Sequence, residues 1–413
     1  MKTLFKNIKG LVGTLDDSPA FIAGKDMKNF GVLHDAYLAI ENGIIVDYGF
    51  MSDWPGISDW ADLEVVDAEG RFVLPTWCDS HTHTVFAQSR ALEFEDKING
   101  LSYQEIALRG GGIINSAKAL SIKPEEELVD DALIRIQRMI LNGTGALEIK
   151  TGYGLDVANE LKMLRVIHKI KEKVPIPIKI TLLIAHALPE NFKDRMDEYV
   201  HHMILDLLPL ANELGFDYID LFCEKDYFQV THLEQILTAA KAIGKKGKVH
   251  LNQFYSIGGV AASLKHLVLS LDHVEVMSEE DAQKLLNQPT IVTALPGCSL
   301  FTKIPYTPAR KLMDLNIPIA LATDFNPGSA PNGNMNLVNS LACIQMQMSP
   351  IEVCAASCYN GAAAMELQHE LGSITCGKRA NLIITEPLEH LSELFYYFGE
   401  SRIASVWING IKI

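Results

Sequence analysis

Apolar and polar positions alternate with a two-residue period at both ends of the chain, and strand-like and helix-like periods take turns across the middle. Near the start, AYLAIENGIIVDYG sets Asn42-Gly43 between two alternating apolar runs. That pattern predicts a hairpin with a type I′ turn, whose two central residues need positive φ. The other end reads alike: residues 380–385 form a short strand, and 405–413 form a hairpin around Asn409-Gly410. Two β-rich ends predict one small composite β-sandwich domain, built from residues 1–70 plus 370–413.

Between them, apolar runs near 72–80, 145–149, 177–185, 217–223, 247–251, 269–273, 289–294 and 317–323 read as strands, with helical stretches between most of them. Pro124 followed by three glutamates opens one helix with acids at its positive end, and Gly143 closes it. Ser278-Glu-Glu-Asp reads as a capping box, and Ser349-Pro350 as a cap with proline at the first helical position. Eight strands with intervening helices give an α/β (β/α)8 barrel of the TIM type over residues 71–369. A doubly wound open sheet is the alternative, because periodicity alone does not close a barrel.

Composition narrows the field of partners. The formal charge of −15 speaks against binding a phosphate backbone, so no nucleic acid is expected. Seven scattered cysteines without a C-x-x-C pair argue against a disulfide framework and for a reducing, cytoplasmic setting; Cys354 and Cys358 read as small core residues. The opening residues lack a signal-peptide pattern, and no apolar run is long enough to span a membrane.

The chemistry starts at His81-Thr82-His83, after the first apolar run of the middle region. Alternate residues on a strand face the same way, so both imidazoles can address one metal ion. His250, His273 and Asp324 each close a strand of their own. In a barrel these carboxyl ends converge on one face. Three neutral imidazoles and a carboxylate suit zinc or ferrous iron, with a position left for water. The expected ligands are His81, His83, His250 and Asp324, with His273 placed beyond them to hold substrate or water. Asp324 can also take a proton from water and pass it to a leaving nitrogen. Gln253 does not titrate, but its amide can hydrogen-bond a substrate. Lys150 ends the second strand; carboxylated, it would bridge two metals, which a single ion does not need.

The segments SHTHTVFAQSRALEF, GLSYQEIALRGGGI, EIKTGYGLD, TLLIAHALP, HLNQFYSIGG, ALATDFNPGSAP and GSITCGKRANLI, in this order, resemble the imidazolonepropionase family of the amidohydrolase superfamily. The resemblance implies hydrolytic opening of 4-imidazolone-5-propanoate to N-formimidoyl-L-glutamate, a step of histidine degradation, by an enzyme holding one zinc or iron ion. It implies substrate contacts at Arg90, Tyr103, Tyr153, His186, Gln253, Asn326, Gly328 and Ser329, a catalytic role for His273 beside Asp324 and His186, and a homodimer. Arg90, seven residues past His83, suits the propionate, because a guanidinium fork pairs with a carboxylate in a set orientation. Tyr153 sits between Gly152 and Gly154, on a loop expected to be flexible. Three positions depart from the family pattern: Gln253 stands where related deaminases often place a proton-shuttling glutamate, Thr76 where glycine is usual, and Asn381 where aspartate is usual. The rivals are a deaminase of a cyclic amidine or nucleobase, which would release ammonia, and a metal-free scaffold that kept only the fold.

Overall fold

The computed structural model describes residues 1–56, 61–101, 105 and 111–413. Among these described residues, sixteen strands form two eight-stranded sheets. The first is mixed. It takes β1 (Lys2–Thr14), β2 (Gly31–Glu41), β3 (Ile44–Phe50), β4 (Leu63–Asp67) and β5 (Arg71–Pro75) from one end of the chain. The other end adds β14 (Leu382–Pro387), β15 (Ile403–Ile408) and β16 (Ile411–Lys412). The join is β14 lying antiparallel on β5, with Leu382 opposite Pro75. Its core also mixes the two ends: Phe5, Leu38, Val73, Leu382 and Trp407 cluster together, with the Phe5 and Trp407 rings edge-on at 5.0 Å.

Both hairpin turns form as the sequence predicts, with φ of +50° and +80° at Asn42-Gly43 and +50° and +73° at Asn409-Gly410. They abut. A Cβ on Gly43 would stand 2.6 Å from the carbonyl oxygen of Asn409, so glycine is required there for space as well as for φ.

The second sheet is parallel: β6 (Trp77–Asp79), β7 (Thr144–Lys150), β8 (Ile178–Ala185), β9 (Tyr218–Cys223), β10 (Lys246–Leu251), β11 (Ser270–His273), β12 (Ile291–Ala294) and β13 (Ile319–Leu321) pair in sequence order. Just beyond β13 and β6, Thr82 bridges Phe325 in parallel, with Asp324 N donating to His81 O at 3.0 Å and His83 N to Phe325 O at 2.9 Å. The last strand therefore meets the first, and the sheet closes into a barrel rather than lying open. Helices cover the outside. Glu125–Leu141 turns Leu128, Val129, Ala132, Ile136, Met139 and Ile140 inward at helical spacing, each of these side chains larger than alanine worth about 1.5–3 kcal/mol when buried. No helix among the described residues is long and apolar enough to cross a membrane.

Two local expectations change. The single strand expected over 72–80 breaks at Thr76: β5 joins the mixed sheet and β6 the barrel. Apolarity runs through the break because both halves are buried, so the pattern hides it. At Ser278 only half of the capping box forms. Its hydroxyl accepts from Asp281 N at 3.0 Å, but the Asp281 carboxylate takes the Ser256 hydroxyl at 2.7 Å instead of reaching back. Ser349 makes the full box with Glu352.

Thr76 and Asn381, two departures from the family pattern, meet at this seam. Thr76 N donates to Asn381 O at 3.0 Å. The Asn381 side chain donates to Gly145 O of β7 at 3.2 Å and accepts from Asn409 N at 2.8 Å. An amide offers both a donor and an acceptor, so it stitches the barrel to the hairpin turn in a way an ionised carboxylate does not.

Candidate metal centre and substrate cavity

The closing seam of the barrel builds the site. Asp79, the last residue of β6, accepts from Thr323 N at 3.0 Å and from its hydroxyl at 2.6 Å, which sets the two strand ends in register. Asp324 then turns with φ +54°, and its carboxylate comes back over the histidine pair. Nε2 of His81 and Nε2 of His83 each stand 3.5 Å from Asp324 Oδ1. His250, at the end of β10, brings its ring within 4.4 Å of His81 and 5.5 Å of His83, centroid to centroid. Ligand nitrogens of the three histidines all lie within 4.8 Å of one another.

Carboxylates behind the rings set which nitrogen faces inward. His81 Nδ1 donates to Asp272 Oδ2 at 2.7 Å, and His250 Nδ1 to Asp220 Oδ2 at 2.7 Å. A neutral imidazole with its proton on Nδ1 presents a lone pair at Nε2. Burial pushes all three rings well below the usual histidine range, helped by the Lys150 ammonium at His81 and His250 and by His250 at His83. They are neutral at pH 7, the form in which imidazole binds a metal. His81 Nε2 is buried and has no hydrogen-bond partner among the described residues. A divalent cation at the shared centre would satisfy it, so these residues fit zinc or iron.

Below the rings the barrel is charged rather than oily. Lys150 Nζ lies 2.7 Å from Glu148, 2.8 Å from Asp220 and 3.4 Å from Asp272. Lys248 pairs with the other oxygen of Glu148 and donates to Ser80 O at 2.9 Å. Burial works against the Lys150 charge, but the three carboxylates outweigh it and hold the ammonium well above its ordinary range. Lys150 is therefore an ion-pair hub behind the histidines, tying together the acids that orient His81 and His250.

Over this centre opens a cavity of about 490 Å³. Of the residues singled out in the sequence, His83, Arg90, Tyr153, His186, His250, Gln253, His273, Asp324, Asn326, Gly328 and Ser329 all line it, while His81 lies deeper. Tyr103 lies outside the described residues. The loop bearing Tyr153 is pinned rather than loose: the buried Glu160 carboxylate accepts from Gly152 N at 2.9 Å, Gly154 N at 2.7 Å and Leu155 N at 2.9 Å. Gly152 has φ +101°, which suits glycine alone. Asn326 knits its own loop, accepting from Gly328 N and Ser329 N at 2.8 Å each and donating to Asp324 O at 2.6 Å. Arg90 is clamped by Glu93 at 2.5–2.6 Å, and Glu93 also holds Gly112 N at 3.0 Å. A Cβ on Gly328 would fall 2.2 Å from Arg90 Nη1, so the guanidinium passes directly over that glycine.

His186 Nδ1 donates to Gly152 O at 3.0 Å, and burial lowers its pKa to about 4. Its Nε2 is consequently an acceptor. His273 is the opposite case. Burial disfavours its charge, yet Glu275 at 3.2 Å from Nδ1, aided by Cys298, holds it well above the histidine range. The sequence reading missed Phe222, Lys225, Tyr227 and Tyr255 in the cavity wall, and Asp220, Asp272 and Glu275 behind the histidines. For the acids a signal existed: ionisable residues inside strands that are otherwise apolar.

Residues 72–412 match the model of the amidohydrolase family. The chain is 50% identical to an imidazolonepropionase of Christiangramia forsetii and 48% identical to one of Flavobacterium johnsoniae, in each case over 99% of both chains. Among solved structures it is similar to an adenosine deaminase of Xanthomonas campestris with bound zinc, at TM-score 0.70 and 17% identity, covering 99% of this chain and 92% of that one. It is also similar to guanine deaminase of E. coli, at TM-score 0.72 and 12% identity, covering 100% and 99%. At such identities these two likenesses speak for the fold alone.

Proposed function

We propose that this chain, which belongs to the amidohydrolase family and within it to the imidazolonepropionases, hydrolyses 4-imidazolone-5-propanoate to N-formimidoyl-L-glutamate with one divalent cation, zinc or iron, held by His81, His83, His250 and Asp324. One observation carries the reading: neutral imidazoles and a carboxylate converge at the floor of a cavity whose wall also bears a clamped arginine. When bound, the cation supplies Lewis acidity, which activates water and polarises the ring carbonyl at neutral pH.

The chain's own groups do the rest. Arg90, oriented by Glu93, pairs with the propionate and sets the ring in the cavity. His186 offers only a lone pair at Nε2, so it accepts a ring N–H rather than steadying an oxyanion. His273, backed by Glu275, is the donor for the carbonyl oxygen as charge develops there. Asp324, with its carboxylate over the histidine pair and lining the cavity, takes a proton from attacking water and returns it to the departing ring nitrogen. Water oxygen bonds to the carbonyl carbon, the carbonyl C–N bond breaks, and the formimidoyl group stays on the other nitrogen. Gln253 donates Nε2 to Cys298 Sγ at 3.3 Å and binds without moving protons.

The test is the decay of imidazolone-propionate absorbance on adding enzyme, with and without chelator. Chelator-sensitive decay without ammonia release is the expected result. Ammonia release would move the chain to the deaminases, and a fully folded protein that takes up no metal would leave a scaffold.

A further inference from the structure

Just past β11 the backbone is strained to fold a carboxylate behind a histidine of the cavity wall. His273 and Val274 leave β11 with φ of +78° and +58°. Two consecutive non-glycine residues in the left-handed region, the second β-branched, cost on the order of 1–3 kcal/mol each. The turn is held by Val276 N donating to Asn252 O at 2.8 Å and by the Thr307 hydroxyl donating to His273 O at 2.7 Å. Its effect is to fold Glu275 back behind the His273 ring. Glu275 Oε1 accepts from His273 Nδ1 at 3.2 Å and from the Ser299 hydroxyl at 3.2 Å.

Packing does not account for this arrangement. Glu275 is 4% exposed, and its Oε2 has no hydrogen-bond partner among the described residues, a cost that a leucine would avoid. With Nδ1 turned to Glu275, Nε2 is the His273 nitrogen left for the cavity. A ring nitrogen of His273 lies within 4.8 Å of both a ring nitrogen of His81 and a carboxylate oxygen of Asp324.

We propose that Glu275 is a positioning residue for the hydrolysis: it accepts from Nδ1 of His273 and so aims Nε2 of that ring at the reacting carbonyl. The inference rests on the reaction proposed above. Strain, a buried idle oxygen and a single acceptor shared by His273 and Ser299 are the features of a group kept for where it points a neighbour.

Steady-state kinetics on the metal-loaded enzyme with 4-imidazolone-5-propanoate test it, with metal content measured alongside. Glu275→Leu lowers kcat about 10–100-fold, the usual cost of losing a group that orients a functional histidine, while KM stays within about twofold and metal content is unchanged. Glu275→Gln, whose amide oxygen still accepts from Nδ1–H, recovers most of kcat. A Glu275→Leu enzyme with kcat within about threefold of the parent overturns the proposal. So does a Glu275→Gln enzyme as poor as Glu275→Leu, or a loss of activity that follows metal content. If Glu275→Leu does not fold, Glu275→Asp, which withdraws the acceptor by one methylene, is read by the same criteria. If the parent itself does not consume the substrate, the reaction assignment falls. The ring 15N shifts of His273 then decide the role of Glu275: a proton on Nδ1 in the parent that is lost in the leucine variant upholds it, and identical shifts sink it.

Discussion

Lys150 and Lys378 are both buried amines, one at the working end of the barrel and one under the mixed sheet, and their surroundings differ in one respect. Lys150 sits among Glu148, Asp220 and Asp272, which hold its charge against burial. Lys378 donates to Gln368 O, to Leu371 O at 3.2 Å and to the Ser373 hydroxyl at 2.8 Å, with the Tyr359 ring 5.0 Å away. Neutral partners do not offset desolvation, and burial lowers it to about 8. Both side chains are buried, and partner charge decides the sign. Near the site, buried charge is balanced by opposite charge. Under the sheet it is a staple that holds residues 368–373 against β14.

The comparison breaks first if the barrel end tolerates loss of charge. Asp324→Ala should abolish metal retention and reduce kcat by more than the roughly 10–100-fold typical of groups behind the ligands, as metal analysis and turnover would show. Lys150→Met should come next. It strands three acids in the core, so denaturant unfolding should show a loss of about 3–5 kcal/mol, and competition with a chromophoric chelator should show weaker zinc binding by about 10–100-fold. Zinc affinity equal to the parent's would mean that the hub supports the barrel and not the ligands. Arg90→Ala should act on KM, raising it about 10–100-fold for loss of a charge-assisted contact, with a smaller change in kcat. Both parameters unchanged would remove the propionate assignment.

The smallest effect is a slope. Lys378 titrates at about 8 in the fold against 10.5 in the unfolded chain. Between those values the unfolded chain binds more protons, so the stability this residue confers rises with pH across the window. The gap between the parent and Lys378→Met should therefore grow in the parent's favour from pH 8 to 10.5. Lys150 is raised in the fold, so its contribution is fully present below 10.5 and shows no such rise. Parallel unfolding titrations of the two methionine variants would separate them, and matching slopes would erase the distinction.

Read alone, the chain already specifies its local geometry: the Asn-Gly turns, the Ser349 cap ahead of Pro350, eight apolar strands, and two histidines spaced to face one way. Each depends on residues adjacent in sequence, whose dihedral preferences and burial periodicity need no distant partner. Convergence of His250 and Asp324 on that pair was legible too, because a barrel gathers its strand ends on one face whatever lies between them. Only the folded molecule decides the break at Thr76, where apolarity is continuous but the hydrogen-bond partners change sheets. The same holds for Glu160 bracing the Tyr153 loop, for the acceptor role of His186, and for the pairing of Lys150 with acids on the alternate strands β7, β9 and β11. A buried charge takes its protonation and its role from whatever stands within hydrogen-bonding distance, and that is set by strand register and closure across residues far apart in the chain.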